Sequence, residues 1–196
     1  MRPSPSPSST ISSTGGQVVA ELPTRVVLVG FMGAGKSAVG VQLAERLAYQ
    51  FEDMDRRIEE RTGRTIAALF EERGEEAFRE EERREAAALA RLDRRVVAAG
   101  GGAFARPRTR ALLGGGALTV WLRCDLKTLL GRIPDDGARP LAGNHAIMQD
   151  LLAERESSYS LADFAVDTSG ATPQEVADQI VDLIGRRAAE ESPIEQ

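Results

Sequence analysis

Between about residues 25 and 187, short runs of β-branched and aliphatic residues alternate with longer stretches in which apolar residues recur at helical spacing. The runs predict strands near residues 25–29, 50–53, 95–98, 117–122 and 163–166, with helices in most of the intervals. Strand and helix in regular alternation predict an α/β domain whose parallel sheet is covered on both faces. The stretch from Phe78 to Leu92 has few large apolar residues and several like charges, so a solvated helix with one face against the core is expected there. Met1 to about Glu21 is rich in Ser, Pro, Thr and Gly and short of large apolar residues, the pattern of a disordered tail. The expected organisation is a tail over 1–22, one domain over 23–187 and a frayed end over 188–196, without internal repeat or second domain.

Composition narrows the class. At 196 residues, 42% hydrophobic and 28% charged, the chain has the size and make-up of one globular domain. A net charge of -5 argues against a nucleic-acid surface, which needs a basic face. The single cysteine, Cys124, excludes an intrachain disulfide and fits a reducing cytoplasm, and no Cys/His cluster has metal-ligand spacing. No apolar run approaches a membrane span, and Arg2 is the only basic residue of the first segment, which also lacks the apolar centre of a signal peptide. A cytoplasmic monomer without membrane or nucleic-acid partner is expected.

The chemistry begins at Gly30-Phe31-Met32-Gly33-Ala34-Gly35-Lys36-Ser37, which follows the apolar run Val26-Val27-Leu28-Val29 and opens an amphipathic run. Gly30, Gly35, Lys36 and Ser37 fill the fixed positions of the phosphate-binding loop, in the strand-then-helix context that the motif requires. Backbone N–H groups must curl around phosphate oxygens there, and the positive end of the following helix faces the same anion. Gly33, Ala34, Gly35, Lys36, Ser37 and Ala38 are therefore the expected triphosphate-binding residues. Lys36 would reach the β- and γ-phosphates and Ser37 would take one position on Mg²⁺. The chain has only two lysines, Lys36 and Lys127, against many arginines, and one of the two stands where this loop requires lysine.

Asp53 and Asp55 follow at the end of the second expected strand. Alternation along a strand would put both on one side, where an open α/β sheet presents its ligand crevice. Two carboxylates beside a triphosphate call for a metal or a hydroxylated substrate between them. The simpler reading makes Asp55 a cap for the helix containing Arg56 to Arg61. Gly100-Gly101-Gly102 also ends an expected strand, whereas Gly114-Gly115-Gly116 precedes one and reads as a C-cap and loop without a ligand. The segment from Ile133 to Gly143 is rich in breakers, as a closing loop would be. Such a lid must exclude water and bring positive charge to a moving phosphate, for which Arg139 is the natural group.

Phe51-Glu52-Asp53-Met54-Asp55, then Ile58-Glu59-Glu60-Arg61-Thr62-Gly63, Ile66, Phe70 and Gly74-Glu75-Glu76-Ala77-Phe78-Arg79, with Gly100-Gly101-Gly102 and Arg139-Pro140-Leu141 further on, resembles the shikimate kinase family. The resemblance spans about residues 25–184. It implies a three-layer P-loop kinase fold with a five-stranded parallel sheet and a mobile lid, and phosphorylation of shikimate at its 3-hydroxyl by ATP with Mg²⁺, a step toward chorismate and the aromatic amino acids. It further implies that Asp53 lies near the metal, that Asp55 holds the shikimate hydroxyls, that Arg79 and Arg155 hold its carboxylate, and that the backbone of Gly101 and Gly102 closes over its ring. Arg132 would lie against adenine, and Lys36, Asp55 and Arg139 would carry catalysis. Glu156-Ser157-Ser158 follows Arg155 where Ala-Pro-Leu is common in the family, which adds a carboxylate beside that arginine.

The residue types agree with that assignment, because a small polyol carboxylate needs a bidentate cation at one end and a hydroxyl acceptor at the other. Two other readings remain at this point. One is a kinase of a related small molecule such as an amino-shikimate, quinate or gluconate, and the other is a nucleotide-binding regulatory protein that has lost turnover. His145, Cys124 and Trp121 read as structural residues.

Overall fold

The computed structural model describes residues 22–132 and 145–191. Residues 1–21 of the expected tail, the lid segment with Arg139 and the last five residues lie outside them. Five strands, β1 (Arg25–Val29), β2 (Gln50–Asp53), β3 (Arg95–Ala98), β4 (Leu118–Arg123) and β5 (Phe164–Asp167), form one parallel sheet in the order β2-β3-β1-β4-β5. Seven helices accompany them among the described residues: α1 (Lys36–Leu47), α2 (Met54–Thr62), α3 (Ile66–Leu89), α4 (Pro107–Gly114), α5 (Leu126–Arg132), α6 (His145–Tyr159) and α7 (Pro173–Glu191).

β1 lies at the centre, with Val27 in register with Val97 on one side and Thr119 on the other. All five of its residues are buried, as expected of a strand covered on both faces. The chain leaves β1 toward β2 on one side and, after β3, crosses to β4 and β5 on the other. Divergence of this kind opens a crevice at the carboxyl ends of the strands, where open α/β sheets bind ligands. No helix among the described residues is long and apolar enough to cross a membrane.

Four elements differ from the pattern-based expectation. β4 and β5 each begin one residue late, because Asp163 ties the two strands with its side chain. Its carboxylate accepts from the Thr119 N–H and hydroxyl, while its own N–H donates to Thr119 Oγ1. α7 continues past Arg187 to Glu191: Val176, Ala177, Ile180 and Ile184 are buried, and Ala188, Ala189, Glu190 and Glu191 favour helix. The charged stretch from Phe78 belongs to a longer element, α3, that is broken at Gly74 (φ 78°, ψ 173°). Its buried stripe, the face expected against the core, is Phe78, Glu82, Glu85, Ala86 and Leu89, so two of the residues on that face are glutamates.

Candidate active site

The loop after β1 owes its shape to close packing. A Cβ on Gly30 would come within 2.6 Å of the Leu122 carbonyl oxygen, so only glycine lets the chain turn beside β4. Gly35, at φ 91°, is the N-cap of α1, and no side chain caps that first turn. The turn's N–H groups, with the positive end of the helix dipole, therefore face the loop as an anion site. Lys36 Nζ donates to the carbonyls of Gly30 and Phe31, at 2.9 Å each, and so holds the loop closed on itself.

Asp53 and Asp55 come together differently from the strand-alternation expectation. β2 ends at Asp53, and Asp55 stands in the first turn of α2. Asp53, not Asp55, is the cap: its Oδ1 accepts from the N–H groups of Asp55 and Arg56 at 3.1 and 3.3 Å. Its Oδ2 accepts from the Ser37 hydroxyl at 2.6 Å, which binds the end of β2 to the start of α1. A helix start interrupts the alternation because the capping carboxylate ends the ladder.

The three glycines after β3 each face a different charged side chain. A Cβ on Gly100 would stand 2.8 Å from Asp55 Oδ1 and 2.9 Å from Glu82 Oε1. One on Gly102 would stand 2.8 Å from Arg79 Nη1, and one on Gly101 would be 3.6 Å from Arg155 Nη1 and 3.7 Å from the Met32 amide nitrogen. The Gly101 carbonyl accepts from Arg155 Nη1 at 3.2 Å and from the Tyr159 hydroxyl. Arg155 also lies over the Phe31 ring, 5.6 Å from its centroid. Arg79 is half-buried against Phe70 and Phe78 and donates from Nη1 to Glu82 Oε2 at 2.7 Å.

On the other side of the loop, Arg132 Nη2 donates to the Thr168 carbonyl at 2.9 Å, and the Thr168 hydroxyl reaches the Ala34 carbonyl at 3.3 Å. Arg132 thereby ties α5 to the turn after β5, and that turn to the phosphate loop. Ala38 follows on the exposed face of α1's first turn. A separate cavity of about 420 Å³, lined by Pro23, Leu118, Ile184 and Arg187, opens at the amino ends of the strands and holds none of these groups.

A comparison of the whole chain decides the family, since the shikimate kinase model matches residues 32–185. The chain belongs to the shikimate kinase family. The shikimate kinase of Geobacter sulfurreducens is 42% identical over 162 residues, covering 81% of this chain and 90% of its own. That of Gloeobacter violaceus is 43% identical over 169 residues, 84% and 94% of the two chains. The shikimate kinase from Acinetobacter baumannii, solved in complex with shikimate, superposes with a TM-score of 0.81 at 35% identity, covering 86% of this chain and 96% of that one. A gluconokinase from Sinorhizobium meliloti shares the fold, with a TM-score of 0.55 at 21% identity.

In this shikimate kinase family member, two side chains at the glycine segment were not singled out by pattern. Glu82 is 1% exposed; burial pushes its carboxyl up from the ordinary range against the pull of Arg79, and the Asp55 charge adds to the rise. Tyr159 is fully buried, and burial pushes its hydroxyl up to about 12. The available signal was the spacing of Phe78, Glu82, Glu85 and Leu89, which marks one helical stripe and places both glutamates on it. Tyr159 lies one turn after Arg155, so the two reach the same carbonyl from one face of α6.

Proposed function

We infer that this chain transfers the γ-phosphoryl group of ATP to the 3-hydroxyl of shikimate, releasing ADP and shikimate 3-phosphate, in aromatic amino acid biosynthesis. The observation that carries the reading, beside family membership, is the convergence at Gly100-Gly101-Gly102. One short segment lies beside Asp55, which would accept a hydroxyl, beside Arg79 and Arg155, which would bind a carboxylate, and beside the phosphate loop at Met32. A triphosphate on the loop and a polyol carboxylate beside the glycines would meet there.

Gly33 to Ala38 would cradle the phosphates with backbone N–H groups, and Lys36 would turn from the Gly30 and Phe31 carbonyls to the β- and γ-phosphates. The Ser37 hydroxyl and Asp53 carboxylate, 2.6 Å apart, suit a hard divalent cation of the Mg²⁺ type. Such an ion takes one or two protein oxygens and fills its remaining positions with water and phosphate. Bound there, Mg²⁺ would neutralise phosphate charge. Asp55 would accept a hydrogen bond from the 3-hydroxyl and take its proton as the oxygen bonds to the γ-phosphorus and the bond to the ADP oxygen breaks. Arg79 and Arg155 would fix the carboxylate, Gly101 and Gly102 would line the ring, Arg132 would lie beside adenine, and Arg139 would close over the transferring group. Phosphoryl transfer needs little covalent help, so catalysis rests on positioning and charge. The proposed enzyme acts as a monomer, and a single cysteine suits the cytoplasm.

A coupled ADP-release assay with Mg·ATP tests this, comparing shikimate, quinate, gluconate and no acceptor. Shikimate should stimulate release strongly, and Asp55→Asn should lower kcat by a factor of about 10²–10⁴, the range of a lost general base. Equal stimulation by quinate or gluconate, or none by shikimate, would count against the assignment.

A further inference from the structure

Arg79 faces two carboxylates of its own chain. Glu82 Oε2 accepts a hydrogen bond from Nη1 on the buried side, while Glu75 Oε1 accepts from both Nε and Nη2, at 3.1 and 3.0 Å. A guanidinium has five N–H donors, and its Nε/Nη2 edge is one of the forks that a carboxylate grips with two oxygens. Glu75 sits on that fork with a single oxygen.

The two glutamates differ in what holds them. The Glu82 side chain is 2% exposed and enclosed by the core face of α3, whereas that of Glu75 is 55% exposed, one residue after the break at Gly74. Glu75 has a second partner on another element, because Arg106 Nη2, at the cap of α4, donates to the same Oε1 at 3.0 Å. One exposed carboxylate thus stands between two arginines, one half-buried in the site and one exposed outside it.

We propose that Glu75 is a resident carboxylate that competes with the substrate carboxylate for Arg79, and that Arg106 is its alternative seat when the substrate binds. The proposal rests on the shikimate reading of Arg79. A carboxylate arriving at the Nε/Nη2 fork must displace Glu75, and one arriving at the other edge meets its negative charge a few ångströms away. In either case Glu75 weakens substrate binding, and Arg106 reduces that penalty by holding Glu75 off. The arrangement would also keep an anion on a partly desolvated guanidinium between turnovers, when Glu82 alone would have to balance it.

The measurement is the shikimate KM, ATP KM and kcat of the full chain, for the wild type, Glu75→Gln, Arg106→Ala and the double variant. Glu75→Gln should lower the shikimate KM by about twofold to fivefold, the size of an exposed ion-pair interaction, with kcat and ATP KM unchanged. Arg106→Ala should raise the shikimate KM by a similar factor, and the double variant should return to the Glu75→Gln value. An unchanged or higher shikimate KM in Glu75→Gln would overturn the proposal, since the carboxylate would then be neutral or would hold Arg79 in place for the substrate. A double variant weaker than Glu75→Gln would make Arg106 a direct substrate contact and overturn its role as a seat. A wild-type chain that turns over no shikimate would instead overturn the underlying reading, and the proposal with it.

Discussion

Gly102 decides how near the backbone can come to the guanidinium of Arg79. A methyl group there would stand 2.8 Å from Nη1, so Gly102→Ala must push the arginine away. Arg79 is a flexible side chain and can move, but only by lengthening its bond to Glu82 or leaving the Phe78 ring. We expect a shikimate KM raised about tenfold or more, with the ATP KM unchanged within about twofold, as suits a misplaced carboxylate anchor. Steady-state kinetics with each substrate varied in turn checks this, and equal effects on both would place the damage in the loop at large. At this scale the sequence was informative about residue type and silent about pairing. Lys36, Asp53 and Asp55 could be named from motif and spacing, and Arg79 and Arg155 only through the family resemblance. That Asp53 receives the Ser37 hydroxyl, and that Glu82 stands buried against Gly100, depends on elements far apart in the chain.

Among the elements, α3 shows what periodicity can and cannot predict. Its apolar and charged positions follow a helical stripe on both sides of Gly74, yet the residue sits at φ 78° and ψ 173°, a conformation essentially reserved for glycine. The break re-aims the second half of the helix, which carries Glu75, Arg79 and Glu82. A helical pattern with a single glycine in it does not reveal such a break, because glycine is tolerated inside helices at modest cost. α5 illustrates a local signal that could be read. Asp125 caps it, accepting from the Thr128 N–H at 2.8 Å and from the Thr128 hydroxyl at 2.7 Å, and these hydrogen bonds hold its carboxyl down, from 3.8 to about 2. A depressed carboxyl stabilises the folded state when ionised, so its contribution is complete above about pH 4 and is lost as the pH falls toward 2. Asp125→Ala should therefore lower the Tm at neutral pH, and the difference from the wild type should shrink between pH 4 and pH 2. A difference independent of pH across that interval would show that the carboxylate's charge has no part in the cap.

Over the whole molecule, charged groups join the helical segment bearing Asp55 and Arg79 to the sheet. Glu52 of β2 accepts from Arg57 at 2.8 Å and from Arg95 of β3 at 3.3 Å. Glu85, on the buried stripe of α3, accepts from Arg57 and from Arg61 of α2. Glu85→Ala removes the buried acceptor of that network, and we expect a loss of about 1–3 kcal/mol, the range for hydrogen bonds to a charged group, measured by urea unfolding. Arg61 also donates from Nη2 to Glu81 Oε2 at 2.7 Å, so an unchanged midpoint would mean that Glu52 holds Arg57 and Glu81 holds Arg61 without it. Alternation of strand and helix determined the α/β class, the five strands to within a residue, and the glycine-lysine loop at the first strand's end, because these follow from local period and backbone freedom. The order β2-β3-β1-β4-β5, the meeting of α3, α6 and the glycine segment, and the burial of Glu82 and Glu85 against the core were decided by tertiary structure alone. Pairing of distant strands and burial of charge depend on which surfaces meet, and local sequence carries no term for that.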